Sequence, residues 1–161
     1  MQTIYAIAAC DLAGGLGYKG DLPWDVPEDK AFFRRHTLGE LMIMGYKTYL
    51  AMPPRALADR ESLVLSRKKR ACSYPNVTFI SNFDQCLKHI KNCGNKKPYV
   101  IGGGEIFELF FSHHMIHELY LSLIPSEYQC DTLFPLYALK SAKNKSLTLK
   151  GKGFSVFRYL F

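Results

Sequence analysis

The sequence predicts a single α/β domain with a mostly parallel central sheet, flanking helices and an antiparallel hairpin at its C-terminal end. Three observations predict this fold class. Short apolar runs such as residues 3–10 alternate along the chain with amphipathic segments. Two of these runs end in glycine, at Gly45 and at 102–104, and pass directly into helical sequence. Residues 146–161 alternate around a glycine-rich turn at 151–153, which is typical of a β-hairpin.

The elements follow from the order of apolar runs and breakers. Strands are predicted at 3–10, 40–44, 62–66, 77–80, 99–101 and 118–122, before the hairpin. Helices are predicted at 26–36, at 46–52, at 83–91 with Ser81 or Asn82 as cap, and after 102–104. The connections are a mobile glycine-rich loop at 11–20, a polar loop at 53–61 and a turn-rich link at 92–98. No repeat or long linker divides the chain.

The composition suits one globular domain with a sizeable core. The chain has 161 residues, of which 48% are hydrophobic and 22% charged. Its net charge of +7 favours anionic partners, which include phosphorylated cofactors, acidic small molecules and nucleic acid. No apolar run approaches the roughly 18 residues of a membrane span, and residues 1–10 lack the basic start of a signal peptide. We therefore expect a cytoplasmic protein without a membrane partner.

The cysteines and histidines do not predict a metal or redox site. There is no Cys-x-x-Cys pair among the five cysteines, so free thiols in a reducing cytoplasm are the simplest interpretation. His113 and His117 have the helical spacing of a metal-binding pair, but no metalloprotease motif surrounds them. We expect no bound metal.

One stretch, between the glycine-rich loop and the first helix, contains the only tryptophan and a dense set of acids. Asp25 is predicted as the helix N-cap, with Glu28 as its capping-box partner and Pro27 where no N–H is needed. Asp29 lies four residues before Phe33 and therefore on the same helix face. Two interpretations remain open. Asp29 is either a buried pocket acid that can hold or relay a proton near neutral pH, or an exposed capping acid.

Three further stretches follow predicted strands and favour anion binding. Lys47 and Thr48 begin a helix directly after a glycine, and the triple glycine 102–104 has the strand–glycine–helix order of a pyrophosphate site. Neither the dinucleotide nor the P-loop fingerprint is met. The basic run 67–70 is interpreted as a phosphate contact, a solvated loop or a weak nucleic-acid patch. Because ligands of such sheets lie outside the carboxyl ends of the strands, one crevice is expected to hold these groups and Asp29.

A series of short motifs then points to a family. The motifs, in chain order, are Ile7-Ala8-Ala9, Leu16-Gly17, Gly20-Asp21-Leu22-Pro23-Trp24, Asp29 with Phe33 and Thr37, Ile43-Met44-Gly45 with Lys47-Thr48, Arg60, Leu65-Ser66-Arg67, Ile101-Gly102-Gly103-Gly104, Leu119-Tyr120-Leu121-Ser122 and Asp131-Thr132-Leu133-Phe134-Pro135. Each motif is weak by itself, but together and at these spacings they are specific. Over nearly its whole length the chain resembles dihydrofolate reductase.

The resemblance implies a dihydrofolate reductase-like fold and the NADPH-dependent reduction of 7,8-dihydrofolate to 5,6,7,8-tetrahydrofolate. Hydride would pass to pterin C6 and a proton to N5, in support of one-carbon and thymidylate metabolism. The implied organisation is a single catalytic domain at 1–161 with an adenosine-binding subdomain at roughly 40–96. The implied partners are dihydrofolate and antifolate inhibitors, the implied state is a monomer, and no nucleic-acid partner is expected.

By the same resemblance, three residues would carry the catalytic roles. Asp29 would bind the pterin 2-amino group and N3, and Trp24 would help to order a water near the pterin. Leu22 would lie on a mobile loop that closes over the nicotinamide. Arg60 would bind the α-carboxylate of the folate glutamate, a task that suits a bidentate guanidinium. The residues implied to line the substrate site are Ile7, Ala8, Asp29, Phe33, Met52, Arg60 and Ser122.

The residues implied to contact the cofactor cluster at strand ends. Lys47 and Thr48 would take phosphate oxygens, Arg67 would face the 2′-phosphate, and the peptide between Gly102 and Gly103 would be cis. The full set implied for NADPH is Ala9, Leu16, Gly17, Gly45, Tyr46, Lys47, Thr48, Leu65, Ser66, Arg67, Ile101, Gly102, Gly103, Gly104, Glu105, Ile106, Phe107 and Thr132.

Four positions depart from the family pattern. Lys30 stands where many relatives place an apolar residue that faces the substrate, and Phe107 stands where a Tyr is common near the nicotinamide. Tyr46 replaces a frequent Arg, which leaves the 2′-phosphate to other basic residues. Ser122 replaces the usual Thr that binds the acid; because the hydroxyl is retained, we expect its hydrogen bond to Asp29.

Two other functions remain open at this point. A reductase of the same fold could act on another pterin or on a ribityl-pyrimidine, although Arg60 and Phe33 suit a substrate with a glutamate tail. A non-catalytic nucleotide- or RNA-binding module would explain the charge of +7 and the basic run 67–70. Such a module, however, has no need for a pocket acid at Asp29.

Overall fold

The computed structural model describes residues 2–17, 22–71 and 74–161. The strands, in chain order, are β1 (Tyr5–Cys10), β2 (Gly15–Gly17), β3 (Leu41–Gly45), β4 (Glu61–Leu65), β5 (Val77–Ile80), β6 (Pro98–Gly102), β7 (Glu118–Leu123), β8 (Thr132–Leu133), β9 (Asn144–Gly151) and β10 (Phe154–Leu160). The helices are α1 (Pro27–Thr37), α2 (Tyr46–Ala51), α3 (Pro54–Ala58), α4 (Phe83–Lys91) and α5 (Gly104–Ser112), with a 3-10 helix at Leu136–Ser141.

The main sheet has eight strands in the order β5-β4-β3-β6-β1-β7-β10-β9. The strands from β5 to β7 in that order are parallel, and β10 runs antiparallel to both β7 and β9. This arrangement confirms the predicted fold class, including the antiparallel hairpin. Because parallel strands point the same way, their carboxyl ends meet at one edge of the sheet.

Apolar side chains cover the sheet on both faces. On one face, α4 and α5 pack against it through Cys86, Ile90 and Phe110, each 2% exposed or less. On the other face, Phe32 of α1 packs beside Trp24. Strands that are buried on both faces need apolar residues at every position, not only at alternate ones. That is why the central strands appear in the sequence as continuous apolar runs.

The first helix begins one residue later than predicted. Val26, not Asp25, is the N-cap, and its carbonyl accepts the backbone N–H of Asp29 at 3.0 Å. Pro27 takes the first helical position, as predicted, and the residue before a proline is held in extended backbone. Val26 is therefore the last non-helical residue. Asp25 instead forms a 3.0 Å ion pair with Lys30, so the predicted capping box is wrong.

Two segments predicted as loops contain regular structure. The polar loop 53–61 contains α3, which begins at a proline in the first turn. The glycine-rich loop 11–20 contains β2, which pairs antiparallel with β8; residues 18–20 of that predicted mobile loop lie outside the described residues. Elements this short have too few residues to show a hydrophobic period, so the sequence pattern did not reveal them.

The remaining predicted boundaries agree closely with the structure. The third predicted helix is α4, and Asn82 is its cap, since Asn82 Oδ1 accepts the backbone N–H of Gln85 at 2.8 Å. Within the described ranges, no helix is both long and apolar enough to cross a membrane. No group of three or more His, Cys, Asp and Glu side chains gathers there as a metal site would require.

Candidate active site

Asp29 lies in the first turn of α1, on the face that packs against the sheet. Phe32 and Thr37 are the other buried residues of this helix, and Asp29 itself is 9% exposed. Its position near a helix N-terminus favours a negative charge there. The interpretation of Asp29 as a buried acid is therefore confirmed, and the interpretation as an exposed capping acid is wrong.

Ser122 binds this carboxyl group from β7. Its Oγ donates to Asp29 Oδ1 at 2.5 Å, across 93 residues of sequence. Burial raises the pKa of Asp29 above its ordinary value, and the hydrogen bond from Ser122 opposes part of that rise. The predicted hydroxyl–carboxyl bond is confirmed. The result is a carboxyl group that holds a proton more readily than an exposed aspartate does.

An apolar surface runs along α1 beside this acid. Phe33 and Ile101 pack against two apolar clusters. The first cluster contains Ile7, and Met52 packs against the second. We refer to the surface of Ile7, Phe33, Met52 and Ile101 as the α1 cleft. The structure thus brings together three of the residues predicted to line a substrate, and it adds Ile101, which was predicted only as a cofactor contact.

Arg60 is held at the far end of the α1 cleft. It is 4% exposed, and its guanidinium lies 5.8 Å from the centroid of the Phe33 ring. Its Nε donates to Thr37 Oγ1 at 3.0 Å, and its Nη1 donates to the carbonyl of Ala56 at 2.8 Å. Burial lowers the pKa of Arg60, and the neighbouring Arg34 adds to that decrease. A guanidinium has five N–H donors, so this one still has donors for a carboxylate.

The two charged side chains mark the two ends of the α1 cleft. Asp29 is in the first turn of α1, and Thr37, which binds Arg60, is its last residue. At 1.5 Å per residue the two helix positions are ~12 Å apart along the axis. The cleft therefore suits an elongated molecule with a hydrogen-bonding ring at one end, an apolar middle and a carboxylate at the other end.

Trp24 lies three residues before the start of α1. Its ring packs in the same apolar cluster as Ile7 and Phe32, and it lies 5.5 Å from the ring of Tyr128. The indole Nε1 is buried, and it has no hydrogen-bond partner among the described residues. A buried donor without a partner is costly, so this position favours a water or a ligand atom that accepts from it. Leu22 is 44% exposed, and residues 18–21 lie outside the described residues.

The glycine junction, residues 102–104, connects β6 to α5. The peptide between Gly102 and Gly103 is cis, as the resemblance implies. Gly102 has φ +135°, a conformation that residues with side chains rarely adopt. The carbonyl of Gly103 accepts the backbone N–H groups of Ile106 and Phe107, both at 3.0 Å. The N–H groups before these, at the helix N-terminus, have no partner within the helix and favour an anion.

Two threonines flank the glycine junction. A Cβ placed on Gly103 would lie 3.6 Å from Thr48 Oγ1 and 3.9 Å from Thr132 Cγ2. A Cβ on Gly104 would lie only 2.6 Å from the carbonyl oxygen of Leu133, so the backbones approach too closely there for any other residue. The structure thus joins α2, β8 and the start of α5 in one narrow cradle with a glycine floor, the Thr48 hydroxyl on one side and the Thr132 methyl group on the other. A phosphate group fits this chemistry.

The basic run 67–70 divides between two positions. Arg67 is exposed and forms a 3.6 Å ion pair with the equally exposed Glu105. Arg70 instead lies over the Tyr46 ring, 3.6 Å from its centroid, and its Nε donates to Ser66 Oγ at 3.1 Å. The sequence analysis did not single out Arg70, because its stacking on Tyr46 joins segments that follow two different strands. Its membership in the basic run was the only available signal.

The other residues implied for a cofactor surround the same edge of the sheet. Gly17 closes β2, and its carbonyl accepts the backbone N–H of Asp131 at 2.9 Å. Gly45 approaches Ile106 so closely that a Cβ there would lie 3.1 Å from Ile106 Cγ1. Phe107 is 1% exposed, inside the core. Lys47 is exposed, Ser66 is buried, and the half-buried members are Ala9, Leu16, Gly17, Gly45, Leu65, Ile101 and Ile106. Ala8, which the resemblance implies for the substrate, is also buried.

Asp11 is a buried acid that the sequence analysis missed. It is 1% exposed and accepts backbone N–H groups from Ala13, Gly15 and Tyr128 at 2.9, 2.7 and 2.9 Å. Burial acts to raise the pKa of Asp11, but the hydrogen bonds from Tyr128, Gly15 and Ala13 outweigh it and leave that pKa below its ordinary value. Asp11 thereby ties the loop before β2 to the segment that packs on Trp24. The only sequence signal was an acid directly after a buried strand.

The fold and the site define an α/β enzyme with a nucleotide cofactor. A buried acid in this position suits acid–base chemistry, for which a module that only binds has no need. The chain belongs to the dihydrofolate reductase family, whose model matches residues 3–150. The predicted family and the predicted enzyme class are confirmed, and the family favours the reductase over an RNA-binding module.

Similar proteins come from bacteria and from a ciliate. The dihydrofolate reductase of Enterococcus faecium is 34% identical over 124 residues, which cover 77% of this chain and 72% of that protein. The dihydrofolate reductase of Haemophilus influenzae is 32% identical over 134 residues, 83% of this chain and 79% of that protein. The bifunctional dihydrofolate reductase-thymidylate synthase of Paramecium tetraurelia is 32% identical over 130 residues, and the match spans 28% of that longer protein.

A solved structure shows the same fold. The dihydrofolate reductase from Enterococcus faecalis, complexed with NADP(H) and RAB-propyl, superposes with a TM-score of 0.81. The two chains are 23% identical, and the superposition covers 98% of this chain and 95% of that one.

Proposed function

We propose that this chain reduces 7,8-dihydrofolate to 5,6,7,8-tetrahydrofolate with NADPH. The observation that carries the proposal is the buried carboxyl group of Asp29, bound by Ser122 at the end of the α1 cleft. Membership of the dihydrofolate reductase family supports it further. The reaction adds a hydride to C6 and a proton to N5 of the pterin, so the protein must align two ligands and control one proton.

Asp29 binds and orients the pterin. Its carboxyl group can accept two parallel hydrogen bonds, from N3 and from the 2-amino group of the ring, which fixes the ring in its plane. Burial raises the pKa of Asp29, so this carboxyl group takes up a proton more readily than an exposed aspartate does. The buried indole Nε1 of Trp24 suits a water beside the pterin. Such a water provides a path for the proton to N5.

The rest of the α1 cleft matches the remainder of the substrate. Ile7, Phe33 and Met52 supply apolar contacts for the pterin and the aminobenzoyl ring. Arg60 supplies a buried guanidinium for the α-carboxylate of the glutamate, about one aminobenzoyl group away from the acid. A ribityl-pyrimidine has no carboxylate at that end. Arg60 therefore favours folate over the alternative substrates.

The residues present fit NADPH. The glycine junction and Thr48 suit the pyrophosphate, since they offer helix N-terminal N–H groups and a hydroxyl at a floor without side chains. Arg67 and Arg70 suit the 2′-phosphate, which NADH lacks. The cofactor, when bound, supplies the hydride. The chain's own contribution is to hold both rings in contact and to exclude water, a role to which the exposed side chain of Leu22 contributes.

The proposal extends to the domain organisation, oligomeric state, localisation and metabolic role of the enzyme. It places one catalytic domain at 1–161 with an adenosine-binding subdomain at about 40–96, acting as a cytoplasmic monomer. Antifolate inhibitors would compete with the substrate at Asp29. The product, tetrahydrofolate, would support one-carbon and thymidylate metabolism.

The direct test is turnover. Purified protein is mixed with NADPH and dihydrofolate, and the loss of NADPH absorbance is followed. Steady oxidation supports the proposal, whereas turnover with only another pterin or a ribityl-pyrimidine assigns the second reductase function. Binding of RNA with a steep salt dependence and no turnover on any of these substrates would assign the third function.

The cofactor preference has its own test. Arg67→Ala and Arg70→Leu should each lower kcat/KM for NADPH by about tenfold and change kcat/KM for NADH by less than about twofold. Only NADPH carries the 2′-phosphate that loses a charged donor. Lys69→Ala is the matched control, since it removes one charge from the same exposed run. Equal losses with both cofactors would refute the assignment of the 2′-phosphate to these arginines.

A further inference from the structure

Asn76 lies directly before β5, beside the segment that leads from α3 into β4. Its side-chain Nδ2 donates to the carbonyl of Ala58 at 3.3 Å, and also to the carbonyls of Leu57 and Arg60. Its own backbone carbonyl accepts the N–H of Ser62 at 3.0 Å. One side chain therefore fastens the end of α3 and the start of β4 to the neighbouring strand.

The chemistry at this position requires a donor. The last carbonyl groups of a helix have no partner within the helix, and α3 has only five residues. Three carbonyl oxygens surround the Asn76 amide nitrogen, whose two N–H groups serve them with one bond shared, so this position needs a donor and not an acceptor. An aspartate of the same shape would present an oxygen to three oxygens. The amide nitrogen of Asn76 is thus specific to this position and not a general polar filler.

Arg60 is fixed at both ends by this arrangement. Asn76 holds its backbone carbonyl, while Thr37 and Ala56 hold its guanidinium at 3.0 and 2.8 Å. The guanidinium hydrogen bonds set the direction of the side chain, and the backbone hydrogen bond sets the point from which it extends. The backbone of the adjacent Asp59 and Glu61 is bonded to Gly39 and Glu40 at 3.0 Å, so the contribution of Asn76 is to hold the end of α3 and the Arg60 carbonyl together.

We propose that Asn76 is a positioning residue for the substrate carboxylate, acting through Arg60; the proposal rests on the proposed function. Bidentate binding of a carboxylate by a guanidinium depends on position within a fraction of an ångström. Asn76 lies away from the acid and the glycine junction, so its effect is confined to the carboxylate end of the substrate. The sequence motifs gave no sign of this role.

The test compares substrates with and without the glutamate. In Asn76→Asp, KM for dihydrofolate should rise about tenfold with kcat within about twofold, because binding and not chemistry loses an interaction. KM for NADPH and KM for a dihydropterin that lacks the aminobenzoylglutamate should stay unchanged. A purely structural role would alter the kinetics of both substrates alike, and that result, or an unchanged KM for dihydrofolate, would overturn the proposal.

A second variant and a control keep the test decisive. Asn76→Ser retains one donor, so it should fold more readily and give a smaller rise in the same KM. In an Arg60→Lys background, Asn76→Ser should raise KM for dihydrofolate little further, because the guanidinium that Asn76 positions is gone. Full additivity of the two substitutions would contradict the proposal. Thr78→Val, on the exposed side of the same strand, is the matched control. If the parent protein does not reduce dihydrofolate at all, the proposed function fails, which is a separate result.

Discussion

Two aspartates of this chain are both buried, yet their pKa values are displaced in opposite directions. Asp11 lies at the end of β1, where its pKa is held below the ordinary value. Asp29 lies at the start of α1, where its pKa is raised. Burial disfavours the charged form of each carboxyl group. Burial alone therefore does not explain the difference between the two sites.

At Asp11 the hydrogen bonds together outweigh burial, whereas at Asp29 burial outweighs the hydrogen bond from Ser122. Asp11 accepts three backbone N–H groups and the thiol of Cys130. Among the described residues, the hydrogen bond that Asp29 accepts is the one from Ser122. A carboxylate surrounded by donors is stable as an anion and serves as an anchor. A carboxyl group with one donor takes up a proton more readily, and it also keeps lone pairs for a ligand.

The largest expected effect is on the chemistry at Asp29. In Asp29→Asn, kcat with dihydrofolate at neutral pH should fall by about 100-fold or more, because the group that binds the pterin and holds the proton is gone. Activity should recover in part at low pH, where the substrate is protonated by the solvent. A pH profile of steady-state turnover measures both effects.

The control for this variant is Asp25→Asn. The same substitution is made four residues earlier, at an acid that is exposed and paired with Lys30. Its turnover should equal that of the parent protein. Undiminished turnover in Asp29→Asn would remove the catalytic assignment.

The next effect is on stability at Asp11. Asp11→Asn should lower the free energy of unfolding at neutral pH by about 1–3 kcal/mol, because an amide cannot accept at both of the former oxygens and buried donors lose their partner. A carboxyl group with a lowered pKa stabilises the folded state at pH values above 3.8, which is its ordinary pKa. That stabilisation is lost as the pH falls through the lowered pKa. The difference between variant and parent, measured by denaturant unfolding, should therefore shrink in acid.

Asp29→Asn should not lower the free energy of unfolding at neutral pH, in contrast to Asp11→Asn. Because the pKa of Asp29 is raised, the folded state loses stability as the pH rises from 3.8 through the raised value. Replacing it with an uncharged amide removes that loss. Asp29→Asn should thus be at least as stable as the parent at neutral pH. A destabilisation equal to that of Asp11→Asn would show that the two acids do not differ as the hydrogen bonds indicate.

A smaller effect is expected from Ser122→Ala. The variant removes the hydrogen bond that lowers the pKa of Asp29, so this pKa should rise further. The midpoint of the pH–rate profile should move to higher pH, with kcat at neutral pH changed by less than about tenfold because the carboxyl group itself remains. Ser122→Thr is the control, since it keeps the hydroxyl. A profile in Ser122→Ala that coincides with the parent would mean that the hydroxyl does not influence the acid.

The smallest effect is expected from Cys130→Ala. The thiol is a weak donor, 3.7 Å from Asp11 Oδ2. Three backbone N–H groups continue to bind the carboxylate in the variant. The free energy of unfolding should change by less than about 0.5 kcal/mol. A loss as large as that of Asp11→Asn would assign the anchoring to the thiol instead of the backbone.

Local features of the site could be predicted from the sequence. Helical spacing placed Asp29 and Phe33 on one face, and the strand–glycine–helix order identified the junction at 102–104. Both rest on periods and turn chemistry within a few residues. The prediction failed at Asp25, because the proline two residues later makes Val26 the cap. It also missed α3, whose five residues are too few for a period.

Contacts between distant segments could not be predicted in the same way. Asp11 and Tyr128 are 117 residues apart in sequence, and nothing near either residue indicates the other. The stacking of Arg70 on Tyr46 and the hydrogen bonds of Asn76 are of the same kind. Such contacts depend on the order of strands in the sheet and on the register between them, which no local pattern encodes.

The sequence by itself determined the fold class, the family and the types of residue at the site. Short-range spacing and apolar pattern are sufficient for these, because they follow from helix and strand geometry. Only the tertiary structure decided the direction in which the pKa of each of the two acids is displaced. Ala13 and Gly15 bind Asp11 locally, but the Tyr128 donor at Asp11 and the Ser122 donor at Asp29 come from segments distant in sequence. Electrostatic free energy depends on distances in space and not on sequence separation.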